Sequence, residues 1–170
     1  SVNLIYELPE IFFSRNNTSV KCAGFACKVE NIRNYKKLLN IILNMKTNIH
    51  LPEIAEGIYS EGEIPKGDYV IVPPVYFGRN VQVESGSVIG PYTIVESDSL
   101  ISKNTYVKKS FISNNGFVSS GCFLDGVFCG ENVSVRKDSA VFADSILGNN
   151  VVLSEETIIE NGSSIRPFTH

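Results

Sequence analysis

The chain has 170 residues, 15 of them basic and 18 acidic, with a formal net charge of -3, 43% apolar and 19% charged. That length holds about one domain with a full hydrophobic core, and the composition excludes a disordered or strongly charged chain. The basic residues are scattered, with no compact run longer than a pair such as Lys36-Lys37 or Lys108-Lys109, which argues against a partner that is nucleic acid or membrane. No apolar run reaches the roughly 18 residues of a membrane span, and the first residues lack the basic-then-apolar profile of a signal peptide, so a cytoplasmic location is expected. Cys22, Cys27, Cys122 and Cys129 show no metal spacing and are expected to be reduced and mostly buried. Position 1 is Ser and the only Met is Met45, so the sequence is expected to be part of a longer chain.

Residues 1–50 read as helix, strand, helix. Leu4, Ile5, Leu8 and Ile11 have helical spacing, interrupted by Pro9, and a polar run from Ser14 to Thr18 ends the pattern. Val20 to Val29, with Ala23, Gly24 and Ala26 inside it, predicts a strand lying close to neighbouring backbone. Asn31 is a candidate N-cap, and Ile32, Tyr35, Leu39 and Ile42 repeat along one face of a predicted helix at 32–43. Residues 51–70, with Pro52, Gly57, Gly62, Pro65 and Gly67, predict a linker, and 71–170 a separate domain.

That last region is a repeat. Phe77, Val83, Ile89, Val95, Ile101 and Val107 fall at steps of six; Ile112, Val118 and Phe123 follow after a five, a six and a second five; Cys129, Val135, Val141, Leu147, Leu153, Ile159 and Ile165 resume at six. Four residues after each such anchor comes a small or β-branched residue, Phe111 alone excepted. Three residues after, Gly, Asn or Asp occurs in twelve of sixteen cases, the residue types that tolerate positive φ. Every hexad thus carries its own corner. Three hexads close a triangular coil of eighteen residues, and coils stacked at roughly 4.8 Å share a continuous core of anchors, giving a mainly β chain with about five coils. This pattern resembles the hexapeptide repeat of left-handed parallel β-helices, a fold that says little by itself about chemistry.

Many proteins with that repeat are acyltransferases, which place a catalytic His and an acyl-CoA pocket between subunits of a trimer. Here His50 falls in the linker region and His170 is the last residue, neither inside a hexad. A zinc site of three histidines is excluded for the same reason.

The stretch from Gly24 to Leu43 resembles the closing segment of the sugar-1-phosphate nucleotidyltransferase domain, with Gly24, Phe25, Tyr35 and Leu39 at its Gly, aromatic, Tyr and Leu. With Pro73-Pro74 before the first clear hexad and Ile89-Gly90-Pro91-Tyr92-Thr93 within the repeat, the likeness is greatest to mannose-1-phosphate guanylyltransferases and their relatives, some of which carry a phosphohexomutase domain after the β-helix. The resemblance implies that 1–50 is the end of an upstream nucleotidyltransferase domain serving nucleotide-sugar synthesis of the NDP-mannose or NDP-glucose type. It also implies magnesium in the parent enzyme, with no cofactor in this chain itself. The family's Gly-rich phosphate loop lies upstream of such a segment, so no catalytic residue is assigned here. At the family's metal-ligating Asp stands Lys28, whose ammonium cannot ligate a metal, with Glu30 two residues on. Either the parent is a regulatory homologue, or Glu30 substitutes, or Lys28 contacts phosphate. The remaining alternatives are a free-standing acyltransferase and a non-catalytic scaffold.

The residue before each anchor points outward, and every third hexad shares a face. The first face then carries Tyr76, Ile94, Phe111, Phe128 and Ile146; the second Gln82, Leu100, Phe117, Ser134 and Val152; the third Val88, Tyr106, Cys122, Ala140 and Ile158. The first is the most apolar of the three. It is expected to be an interface, packed on the helix at 32–43 or on a second subunit of a homo-oligomer.

Overall fold

The computed structural model describes the backbone of Ile5–Arg15 and Thr18–Cys27, Leu43, and all of residues 51–170. The chain divides into two compact units, Ser1–His50 and Leu51–His170.

In the first unit, β1 (Ile5–Arg15) and β2 (Thr18–Cys27) form an antiparallel hairpin closed where Arg15 pairs with Thr18. The helix expected on Leu4, Ile5, Leu8 and Ile11 is therefore a strand from Ile5 onward, Leu4 lying outside the described residues. Ile, Tyr and Phe favour extended backbone, and Pro9, which would remove a helical hydrogen bond, lies where the register slips between Leu8 and Ile11. The expected strand is present as β2, displaced towards the N-terminus. The expected helix at 32–43 lies outside the described residues except for Leu43, which is helical and buried.

The second unit is a parallel β-solenoid of about six turns, one more than the repeat count predicts. The extra turn comes from the stretch read as a linker. There β3 (Glu53–Ala55) and β4 (Ile58–Ser60) make a short antiparallel hairpin, and β5 (Val70–Ile71) pairs in parallel with the next turn. The turns then run through β6 (Val75–Phe77), β7 (Gln82–Val83) and β8 (Val88–Ile89). Next come β9 (Thr93–Val95), β10 (Leu100–Ile101) and β11 (Tyr106–Lys108). The fourth turn holds β12 (Phe111–Ile112), β13 (Phe117–Val118) and β14 (Phe123–Asp125). The fifth holds β15 (Phe128–Cys129), β16 (Ser134–Val135) and β17 (Ala140–Val141). β18 (Ile146–Leu147), β19 (Val152–Leu153) and β20 (Ile158–Ile159) follow, and β21 (Ser164–Ile165) ends the series. Every third strand stacks in one of three sheets: a first face from β3 to β21, a second of five strands from β7 to β19, and a third of six from β5 to β20.

The anchors fill the interior. Phe77, Ile89, Val95, Ile101, Val107, Val135, Val141 and Leu147 are fully buried in one cluster, each side chain contributing roughly 1.5–3 kcal/mol by leaving water. The small residue four positions on sits inside the corner, where its hydroxyl ties turns together. Ser87 Oγ donates to Ser102 O at 2.8 Å and accepts from Thr105 N at 3.2 Å; Ser139 Oγ does the same with Ser154 O at 3.0 Å and Thr157 N at 3.2 Å. At other turns Val81, Val127, Val133 and Val151 fill the same corner position with an apolar side chain. All twelve Gly, Asn and Asp corner positions have positive φ, from Asn104 at 54° to Gly86 at 76°. Tyr92, Lys109, Glu156 and Phe168 adopt it as well, without the usual residue type.

The frame needs one correction. The first five-residue step, Val107 to Ile112, is present, but the second falls at Leu124 to Cys129, because Leu124 is fully buried and Phe123 points outward. Both shortened corners put their positive φ one residue early, at Lys109 and Gly126. Phe111 is therefore no exception to the small-residue rule: the inward corner position is Ser110, fully buried, with its hydroxyl on Lys108 O and accepting from Val127 N. Cys122 likewise turns inward and Phe123 takes its place on the third face.

Candidate functional site

The anchored turns present three outer ladders, and two of them are apolar. On the first face Tyr76, Ile94, Phe111, Phe128 and Ile146 are consecutive rungs, as expected from the hexads. Tyr76 and Ile94 are buried while the other three are half-buried, so this stripe does not stand clear along its whole length. Phe111 and Phe128 stack with ring centroids 5.1 Å apart. At the N-terminal end of the face, burial and then a hydrogen bond to Glu61 hold the Tyr76 hydroxyl protonated far above its ordinary range. Burial, and then the Glu61 charge, also raise the carboxyl of Glu96. Arg79 reaches Glu61 at 3.5 Å on the exposed rim.

The third face carries Val70, Val88, Tyr106, Phe123, Ala140 and Ile158 as consecutive rungs. Its ends are open, Val70 being 55% and Ile158 68% exposed. Beside the ladder, Val72 and Phe142 are each 37% exposed. Tyr106 and Phe123 stack at 5.4 Å, Phe142 tilts against Phe123 at 5.9 Å, and Lys108 Nζ lies 5.6 Å from both the Tyr106 and Phe123 ring centres. Lys108 also pairs with Asp125 at 3.2 Å. Reading Cys122 as the outward residue hid this face, since it removed the one ring that joins Tyr106 to Phe142.

Candidates for chemistry are sparse. Lys28, Glu30 and His50 lie outside the described residues, and His170 is exposed at the chain end. Among the described residues no three of His, Cys, Asp and Glu converge as metal ligands. Burial raises the thiol of Cys122, which donates to Arg136 O at 3.0 Å, and pushes that of Cys129 up to about 12, so neither is a ready nucleophile. Two open grooves of about 400 and 500 Å³ flank the loop at 61–68, lined by side chains of both signs such as Lys66, Asp68, Glu84 and Arg79. No described helix is long and apolar enough to cross a membrane.

Corners at hexad spacing, buried hydroxyls and three short parallel sheets define the class of hexapeptide-repeat left-handed β-helices. Solved structures agree on the fold. The acetyltransferase domain of PglB from Neisseria gonorrhoeae FA1090 superposes with a TM-score of 0.64 at 16% identity, over 81% of this chain and 64% of that one. The same domain in complex with acetyl coenzyme A gives 0.63 at 16%, over 83% and 66%. A hexapeptide transferase family protein from Anaplasma phagocytophilum gives 0.50 at 18%, over 65% and 74%. The chain thus spans just under two thirds of the PglB domain's length. At these identities the likeness speaks to fold alone. No curated protein sequence matches the chain. Residues 71–169 match the GMPPB C-terminal domain, and the chain belongs to that family, the C-terminal region of a nucleotidyltransferase.

Proposed function

We propose that the chain is the C-terminal assembly and regulatory region of a sugar-phosphate nucleotidyltransferase, working with a catalytic domain that lies before it in the same polypeptide. The observation that carries this reading is the family match over 71–169, which lies 27 residues after a Gly24 to Leu43 segment with the residue pattern of that catalytic domain's end. The solenoid supports the catalytic domain and supplies apolar faces for assembly into a homo-oligomer in the cytoplasm. The product is a nucleotide sugar of the NDP-mannose or NDP-glucose type. Magnesium serves the upstream domain; Lys28 cannot ligate it, and no step is assigned to it in this chain.

The test is pyrophosphate release by the whole encoded polypeptide with magnesium, nucleoside triphosphates and a panel of hexose 1-phosphates. Turnover that is lost or loses its regulation when 71–169 is deleted supports the reading, and a full-length product without turnover on any pair overturns the catalytic part. A second reading, acyl transfer from acyl-CoA, draws on the likeness to the PglB domain solved with acetyl coenzyme A. Against it, His170 is the only histidine among the described residues, and it lies at the chain end beyond the last strand. Calorimetry with acetyl-CoA separates the two: binding at micromolar affinity promotes the second.

A further inference from the structure

We propose that the third face is a two-fold interface with a second copy of this chain. The inference rests on the assembly reading above and names the surface that reading leaves open.

The face has six rungs, so a two-fold axis parallel to the strands can pass midway, between β11 and β14. Rotation about such an axis brings each rung onto its mirror in the series while keeping positions along the strand. Tyr106 of one copy then meets Phe123 of the other, Val88 meets Ala140, and Val70 meets Ile158, an apolar contact at every rung. The row just after the anchors is matched in part. Phe142, 37% exposed, lies opposite Gly90 of the second copy, a buried position, and Val72 lies opposite Glu160, the one unlike pair of the row. Lys108 lands on Asp125. Both charges are therefore satisfied twice, once within the chain at 3.2 Å and once across the axis. A face whose outward rungs and central charged pair are palindromic about its own centre has the self-complementarity that a two-fold contact requires.

The size is adequate. Six rungs at ~4.8 Å and a prism side of about six residues give a projected area on the order of 500 Å². Side-chain relief raises this towards the roughly 800 Å² per partner of a standard interface. The first face lacks this symmetry, since its N-terminal rungs Tyr76 and Ile94 are already buried and its C-terminal rung is the exposed Ser164.

Sedimentation equilibrium of the 170-residue chain tests the proposal, with twice the chain mass of 18.7 kDa expected at micromolar concentration. K108D and D125K should each weaken the dimer about tenfold or more by placing like charges across the axis. An equimolar mixture of the two should regain most of that loss, because one copy then carries acids at both positions and the other carries bases. The internal pair stays broken in every copy of the mixture, so recovery reports the intermolecular contact alone. I158E and V70K, at exposed rungs that the fold tolerates, form a second such pair should the first fail to fold. A monomeric wild type at the highest soluble concentration overturns the proposal, as does a mixture no tighter than its separate variants. Either result leaves the pyrophosphate assay untouched, so failure here and failure of the nucleotidyltransferase reading are told apart.

Discussion

Lys108 and Asp125 hold the same position in two successive shortened corners, and their side chains meet across one rung of the solenoid at 3.2 Å. Each side chain is only 27% exposed, and the ammonium also lies over two aromatic rings. K108A should therefore lower stability by about 1 kcal/mol, more than a solvated pair provides. R79A, which breaks the exposed contact with Glu61, should change it by less than about 0.5 kcal/mol. Urea denaturation at one fixed protein concentration compares them.

The corrected frame separates two neighbouring residues. L124D places an unpaired carboxylate in the core and should cost several kcal/mol, on the order of what buried charges cost. F123D removes ring contacts on an outer face and should cost roughly 1–2 kcal/mol. Equal loss from the two would return the second five-residue step to Val118–Phe123. V141D and L147D, both in the regular portion, should behave like L124D.

Corners with positive φ and an ordinary side chain store strain that glycine relieves. K109G and E156G should each raise the melting temperature, by about 0.5–1 kcal/mol in stability. G121V should do the reverse, because φ is 75° there and a Cβ would run into the Asp138 carboxylate. Differential scanning calorimetry reads both signs.

The Cys129 thiol, pushed up to about 12 by burial, stays protonated in the folded chain at pH values where the unfolded thiol, near 9, has ionised. Its contribution to stability is fully present below pH 9 and is lost as the pH rises from there towards 12. Urea midpoints should fall over that window, and a C129A or C129V variant should flatten the alkaline limb. Aromatic disulfide reagents at pH 8 should label Cys122 and Cys129 only after denaturant is added.

On the first face, F128E with I146E should remove the Phe111–Phe128 stack and lower the melting temperature. The sedimentation mass should stay that of the wild type if the third face makes the dimer. A drop to the monomer mass would move the interface to the first face.

Much of the solenoid was legible because each hexad states its own geometry. An apolar residue every six positions, a residue tolerant of positive φ three further on and a small one after that can be satisfied only by short strands with corners, and all twelve predicted corners have that φ. Residues 51–70 hid their strands because Pro52, Pro65 and polar residues such as Glu61, Glu63, Lys66 and Asp68 mask pairs as short as Val70–Ile71. β1 was misread because Leu4, Ile5, Leu8 and Ile11 fit a helical period by coincidence, while the pairing that makes Ile5, Leu8 and Ile11 extended lies 11 to 22 residues away on β2.

Sequence alone thus determined the repeat, its corners and the inward set of the regular hexads, since these depend on what one residue tolerates. It could not choose between Phe123 and Leu124, both apolar and each reachable by one five-residue step. That choice belongs to stacking, which sets Lys108 against Asp125 and Val107 against Leu124 in register. The same stacking decides which faces are open, because exposure depends on neighbours a full turn away: Ile158 is 68% exposed and Ile94 only 7%, although both are outward isoleucines just before an anchor.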